Sequence, residues 1–266
     1  VTDLERIKFD LHKREDKDSL IVDYLDRHFP IPEFPVCGSI ENFLGNRAFY
    51  LIAQPNISEG LPNVNILISA SCTGQDSVIN AMSEIGREPI NIRTATTRKR
   101  RVEESEDAYV WMDRIEGVVG TNEVDLLIEK YGLVECQQYC NNLYGTPLES
   151  LREAAKNQGD KPIVLKNDQH GAAQIASRIK KEMNSIIVAM FPENYKQLVE
   201  RVKSGRNDPI SRLAEAAVFM IEYEDVSHYA LVNREHSNSK LGAQITAHEL
   251  LTIIDIEKSR SENENS

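Results

Sequence analysis

The run from Val64 to Ala70 is short, apolar and without helical spacing, the mark of a strand buried on both faces of a sheet. It runs straight into a small polar stretch, Ser71-Cys72-Thr73-Gly74, and then into a helical pattern over residues 76–86. Strand, tight turn and helix in immediate succession commit the chain to strands alternating with helices, and so to a mostly parallel sheet. Further strands are expected at Ile90–Thr94, Leu133–Gln137, Pro162–Lys166, Ile186–Phe191 and Tyr229–Asn233. Helices are expected near Pro147–Asn157, Gly171–Met183, Glu193–Ser204, Ile210–Ile221 and Thr246–Lys258.

Residues 1–62 have a different texture. Thr2 to His28 alternates charged and apolar residues at helical spacing, with Leu4, Ile7, Leu11, Leu20, Ile21, Tyr24 and Leu25 as the expected buried face. Pro30, Pro32 and Pro35 end that pattern, and a short apolar run, Ala48 to Ala53, precedes a polar connector. Residues 1–62 therefore read as an accessory extension and residues 63–258 as the main domain. Ser259 to Ser266 is small, charged and polar, so a disordered tail is expected there.

A net charge of −11 argues against a broad nucleic-acid-binding face, because neutralising phosphates needs an excess of Lys and Arg; a local anion pocket stays open. No run of about 18 apolar residues is present and the stretch from Val1 to Leu20 is charged. Neither a membrane span nor a secretory signal is expected, and a cytoplasmic setting is the resulting expectation. Cys37, Cys72, Cys136 and Cys140 lack the further soft or imidazole ligands that zinc requires, so free thiols and no metal site are expected.

The junction after the first strand of such a sheet is where a phosphate would sit, at the N-terminus of the following helix. Against the pattern G-x-x-x-x-G-K-[ST], Gly74 falls on the second glycine. Ser69 replaces the first glycine, Gln75 the lysine and Asp76 the hydroxyl residue, with Ser71 and Ser77 in the same segment. Gln75 supplies a neutral amide where a cation is wanted. Asp76 adds a negative charge, or offers a carboxylate oxygen of the kind Mg²⁺ prefers.

The motifs downstream of that loop give it meaning. Thr94-Ala95-Thr96-Thr97-Arg98-Lys99-Arg100-Arg101, Tyr109, Glu135, Asn142-Leu143-Tyr144-Gly145-Thr146-Pro147 and Lys166-Asn167-Asp168-Gln169-His170-Gly171-Ala172-Ala173 occur in this order. In order and spacing they resemble the guanylate kinases, over about residues 63–258. The resemblance implies a mostly parallel α/β sheet flanked by helices, of P-loop kinase type. It adds a small GMP-binding subdomain (about 94–148) and a short lid (about 201–213), besides the N-terminal extension.

The same resemblance implies that Arg98, Arg101, Tyr109 and Tyr144, with Thr94 assisting, hold the phosphate of a bound monophosphate. Guanidinium groups and phenolic hydroxyls are suitable donors to phosphate oxygens. Glu135, Thr146 and Asp168 match the positions that select the base, and a carboxylate there suits the N1–H and amino group of guanine. Arg206 and Arg212 match lid arginines that act on the transferring phosphate. Asn233 matches a residue on the adenine side of the donor.

Two stretches depart from the family near the acceptor site. Residues 98–109 carry Val102-Glu103-Glu104-Ser105 where a Pro-Gly turn is common, and Gln169 and His170 replace the usual residues before Gly171. The lid is also shorter and bears Pro209. Three readings are open. A retained acceptor set beside an altered loop points first to a protein that binds GMP or a similar monophosphate with weak or absent ATP-dependent phosphoryl transfer. The retained lid arginines and Asn233 support an active guanylate kinase using ATP and Mg²⁺. A phosphopeptide-binding scaffold module is the third. No nucleic-acid or membrane partner is expected in any of them.

Overall fold

The computed structural model describes residues 3–15, 17–32, 49–102, 104–115, 120–139, 142–205, 208–234 and 239–263. The strand at the centre of the sequence pattern, β2 (Asn63–Ser69), lies inside a six-stranded sheet. The other members are β1 (Phe49–Leu51), β3 (Ile90–Asn91), β8 (Ile163–Asn167), β9 (Asn184–Pro192) and β10 (Tyr229–Asn233), in the order β1-β10-β9-β2-β8-β3. All neighbours pair parallel except β1, which closes one edge antiparallel to β10. An antiparallel edge on a parallel sheet is common in α/β proteins. Here it comes from the apolar run before Pro55.

Period-two alternation divides the core. Val64, Ile66 and Ile68 face one layer, whereas Leu67 faces the other. The first layer contains α1 (Asp3–His12), α2 (Asp18–His28), α5 (Leu148–Lys156), α6 (Gln169–Ile179), α7 (Tyr195–Gly205) and α8 (Pro209–Glu222). The second contains α3 (Gln75–Glu84) and α9 (Ser239–Asn263). Helix α1 packs on α8 and α2 on α7, with Ile7, Leu11, Ile21 and Leu25 fully buried. Burial of one such side chain is worth about 1.5–3 kcal/mol. The N-terminal helices thus share the main core.

A second sheet, in the order β5-β4-β7-β6, is built from β4 (Ala95–Thr96), β5 (Val110–Trp111), β6 (Leu133–Tyr139) and β7 (Asn142–Pro147). Helix α4 (Thr121–Tyr131) covers it through Leu127, which packs with Ala95, Met112, Leu133 and Leu143.

The fold corrects several expectations. The helical stretch from Thr2 to His28 is two helices, separated by a turn at 13–15. The strand expected at Ile90–Thr94 ends at Asn91, and the chain re-enters strand conformation at Ala95 in the other sheet. Strand β7 and helix α4 add to the expected elements, the latter although Val124, Leu127, Ile128 and Tyr131 have helical spacing. The tail expected to be disordered is helical over residues 259–263, as the last turn of α9, with Arg260 paired to the buried Glu257.

Candidate functional site

The turn between β2 and α3 has the backbone of an anion cradle. Cys72 (φ 67°) and Gly74 (φ 101°) both lie in the left-handed region, and turns of mixed hand gather successive N–H groups on one side. Thr73 locks the turn by donating its hydroxyl to Ala70 O at 2.8 Å. At Gly74 a Cβ would lie 2.5 Å from Asn233 Nδ2, so glycine is required by contact as well as by φ. Asn233 is buried and donates to Thr73 O at 2.6 Å, while Thr246 donates to Asn233 Oδ1 at 3.3 Å. Its amide therefore holds the loop in shape.

The loop side chains have definite partners. Gln75 turns back and donates to Leu67 O at 2.8 Å. Ser69 donates to Ala70 O at 3.0 Å, and Ser77 is exposed on the first turn of α3. Ser71 accepts from Arg212 Nη1 at 2.7 Å, which brings the lid-helix arginine to the loop. Arg201, on α7, reaches within 4.0 Å of the point a Cβ on Gly74 would occupy. Asp76 pairs with Lys166 at the end of β8. Arg206 lies outside the described residues. The segment 201–213 is helical up to Gly205 and again from Pro209, where Asp208 (φ 56°) caps α8 by accepting from Ser211 N.

Loop metal chemistry in P-loop proteins draws on a hydroxyl residue after the lysine and on an aspartate from a nearby strand. Here the first position is Asp76, and the adjacent strand presents the ammonium of Lys166 against it. This donor set does not fit Mg²⁺. Among the described residues no group of three or more His, Cys, Asp or Glu is arranged to hold a metal ion.

The basic run gathers around one carboxylate. Arg98 donates to both oxygens of Glu104, at 3.0 and 2.6 Å, and Glu104 also accepts from Arg101 N at 2.9 Å. The pair is largely shielded, with side chains 14% and 17% exposed. Glu104 holds the Arg98 guanidinium charged, and Arg98 pulls the Glu104 carboxyl below its ordinary value. The guanidinium also lies 5.4 Å from the Tyr109 ring centre and 5.8 Å from that of Trp111, within cation–π range. Tyr144 sits opposite Thr96 on β7, near enough to Arg98 to favour its charge. Thr94 O accepts from Val110 N at 2.9 Å and ties this strand to the Tyr109 segment.

Glu135 is buried on β6 and accepts from Thr146 Oγ1 at 2.6 Å and from Asn167 Nδ2 at 3.3 Å. Burial pushes its carboxyl up to about 7, against the pull of these two donors. Asp168 caps α6 by accepting from Gly171 N at 2.8 Å and takes a second donor, Gln137 Nε2, at 2.9 Å. A Cβ on Gly171 would lie 2.1 Å from Asn167 Oδ1, so the glycine makes room for the amide that supports Glu135. Asn167 carries no sequence signal of its own beyond its place in the Lys166–Ala173 run.

Only part of this set meets across one cleft of about 590 Å³; Arg98 lines a separate cavity of about 550 Å³ with Arg100 and Trp111, and Tyr109, Glu135, Tyr144 and Thr146 line neither. The walls of the cleft include Ser69 and Ser71 of the turn before α3, Arg101 of the basic run, Asp168 at the start of α6, and Arg212 and Glu215 of α8; Leu4 of α1 also lines it. Burial raises the Glu215 carboxyl, and Arg212 partly offsets the effect.

The family model described as Guanylate kinase matches residues 62–248. The chain is 26% identical over 174 residues to a guanylate kinase of Mycoplasmoides gallisepticum, covering 63% of this chain and 83% of that protein. It is 26% identical over 183 residues to a guanylate kinase of Streptomyces coelicolor, covering 68% and 87%. In fold it is similar to the crystal structure of guanylate kinase from Anaplasma phagocytophilum, with a TM-score of 0.52 at 20% identity, over 76% of this chain and 89% of that one.

Proposed function

Because this chain belongs to the guanylate kinase family, we propose that it binds GMP among Arg98, Glu135 and Asp168, beside the cleft, and transfers phosphate from ATP only weakly. The observation that carries this reading is the cleft in which Ser69 and Ser71 of the loop face Arg101, Asp168 and Arg212. On the acceptor side, Arg98 and Arg101 take the GMP phosphate in place of the Glu104 carboxylate, with Tyr109 and Tyr144 as further hydroxyl donors and Thr94 anchoring their strand. Glu135, kept in position by Thr146 and Asn167, accepts from the guanine N1–H and amino group in its ionised form. Asp168 completes the base-facing wall. Adenine offers an acceptor at N1 and would leave Glu135 facing a lone pair.

The donor side is weaker in charge and chemistry. Gln75 is neutral and turned onto Leu67, and Asp76 Oδ1 already carries the ammonium of Lys166. Loss of one strong electrostatic stabiliser at a transferring phosphate costs on the order of 10²–10³ in rate. Arg201 and Arg212 beside the loop favour a second reading, in which transfer survives at a useful rate.

Turnover separates the two. GDP formation from saturating GMP and ATP is expected at roughly a hundredth or less of a typical enzyme turnover of about 10 s⁻¹. Turnover at that ordinary level establishes the active kinase. No helix among the described residues is long and apolar enough to cross a membrane.

A further inference from the structure

The phosphate loop has exchanged its charges with the neighbouring strand. Its pattern asks for a cation at position 75 and a metal-binding hydroxyl at 76, and the chain has Gln75 and Asp76 instead. The cation reappears on β8. Strands β2 and β8 pair in parallel with Leu67 opposite Lys166, the same Leu67 whose carbonyl receives Gln75. From there Lys166 reaches the first turn of α3 and pairs with Asp76. Both side chains remain open to solvent, with Lys166 46% exposed, so its other protons are accessible to a ligand.

We propose that Lys166, steered by Asp76, is the positioning cation of this loop and stands where a divalent ion would bridge phosphate oxygens, so that a polyphosphate binds here without metal. The inference rests on the reading of residues 69–77 as the family's phosphate loop and deepens it. The physical grounds are charge and geometry. A magnesium ion approaching Asp76 either competes with the ammonium on Oδ1 or sits beside that positive charge at the other oxygen. An ammonium beside the N–H groups of the α3 N-terminus acts instead as a point charge toward a phosphate. Arg212 at Ser71 and Arg201 near Gly74 bring further positive charge from the opposite wall. These groups compensate a polyphosphate that arrives uncomplexed.

The test is calorimetric titration of ATP into the whole protein, once with excess Mg²⁺ and once with excess EDTA, alongside GMP as an independent titrant. The wild type is expected to bind ATP equally, within about twofold, in both conditions. Loss of a charge-assisted contact corresponds to about a tenfold weakening. Lys166→Gln is therefore expected to weaken ATP about tenfold in EDTA, to recover part of that loss in Mg²⁺ because Asp76 is released, and to leave GMP unchanged. Lys166→Arg is expected to keep metal-independent binding. ATP affinity in the wild type that falls tenfold or more in EDTA overturns the proposal. So does a Lys166→Gln variant indistinguishable from wild type in both conditions. GMP binding without ATP binding overturns this proposal alone and leaves the acceptor reading intact, whereas failure of both ligands removes the two together.

Discussion

Arg98 and Glu104 form a two-pronged ion pair, with Nη1 and Nη2 on the two carboxylate oxygens at 3.0 and 2.6 Å. A planar guanidinium meets a phosphate with the same fork. Glu104 also takes the backbone N–H of Arg101, so one internal carboxylate engages both arginines assigned to the GMP phosphate. On the proposed reading it acts as a stand-in that the GMP phosphate displaces.

Glu104→Gln keeps the size of the side chain and removes its charge. The variant is expected to bind GMP about five- to tenfold more tightly, since the incoming phosphate then competes with a neutral amide. Calorimetry measures this directly. A weaker GMP affinity would mean that Glu104 builds the site instead of occupying it.

On the proposed reading, Glu135 makes GMP binding depend on pH. Its carboxyl is raised to about 7 by burial, and only the ionised form accepts from both guanine N–H groups. GMP affinity is therefore expected to reach a plateau above about pH 8 and to fall by about tenfold per pH unit well below 7. Glu135→Gln should flatten that profile and bind weakly throughout. A wild-type profile without an inflection between pH 6 and 8 would contradict this role.

The same carboxyl makes the protein less stable at high pH. Its value rises from 4.5 in the unfolded chain to about 7 when folded, so the folded state holds a proton that unfolding releases. Its contribution to stability is complete below about 4.5 and is lost as pH rises through 7; Glu249, also buried and raised to about 7, adds in the same direction. At about 1.4 kcal/mol per unit, Glu135→Gln is expected to stabilise the ligand-free protein by about 3 kcal/mol at pH 8 and by less at pH 5. Denaturant unfolding at the two pH values reads the difference. Equal stabilisation at both would mean that Glu135 does not titrate in this range.

Much of the site is legible in the sequence because its members lie in ordered local motifs. The run from Thr94 to Arg101, the Asn142–Pro147 strand and the Asp168 turn each carry their identity within a few residues. The rest depends on contacts between segments remote in sequence. Lys166 lies 90 residues from Asp76, and Arg212 lies 141 from Ser71. No local pattern announces either contact. The role of Glu104 is hidden for another reason: within its run it is one of several acidic residues, and only the fold of the loop turns it onto Arg98. Asn233 matches a residue on the donor adenine side, and in the fold its buried amide supports Thr73. The fold is most legible where strands are fully buried, as at β2 and β10, and least so at α4, whose charged face conceals its apolar one.

The most direct measurement of the central claim is a calorimetric titration of GMP into the wild-type protein and into Arg98→Ala. The account predicts saturable binding by the wild type in the micromolar to millimolar range, about −8 to −4 kcal/mol, and its loss in the variant. Absence of saturable GMP binding by the wild type, or GMP binding unchanged by Arg98→Ala, would contradict it.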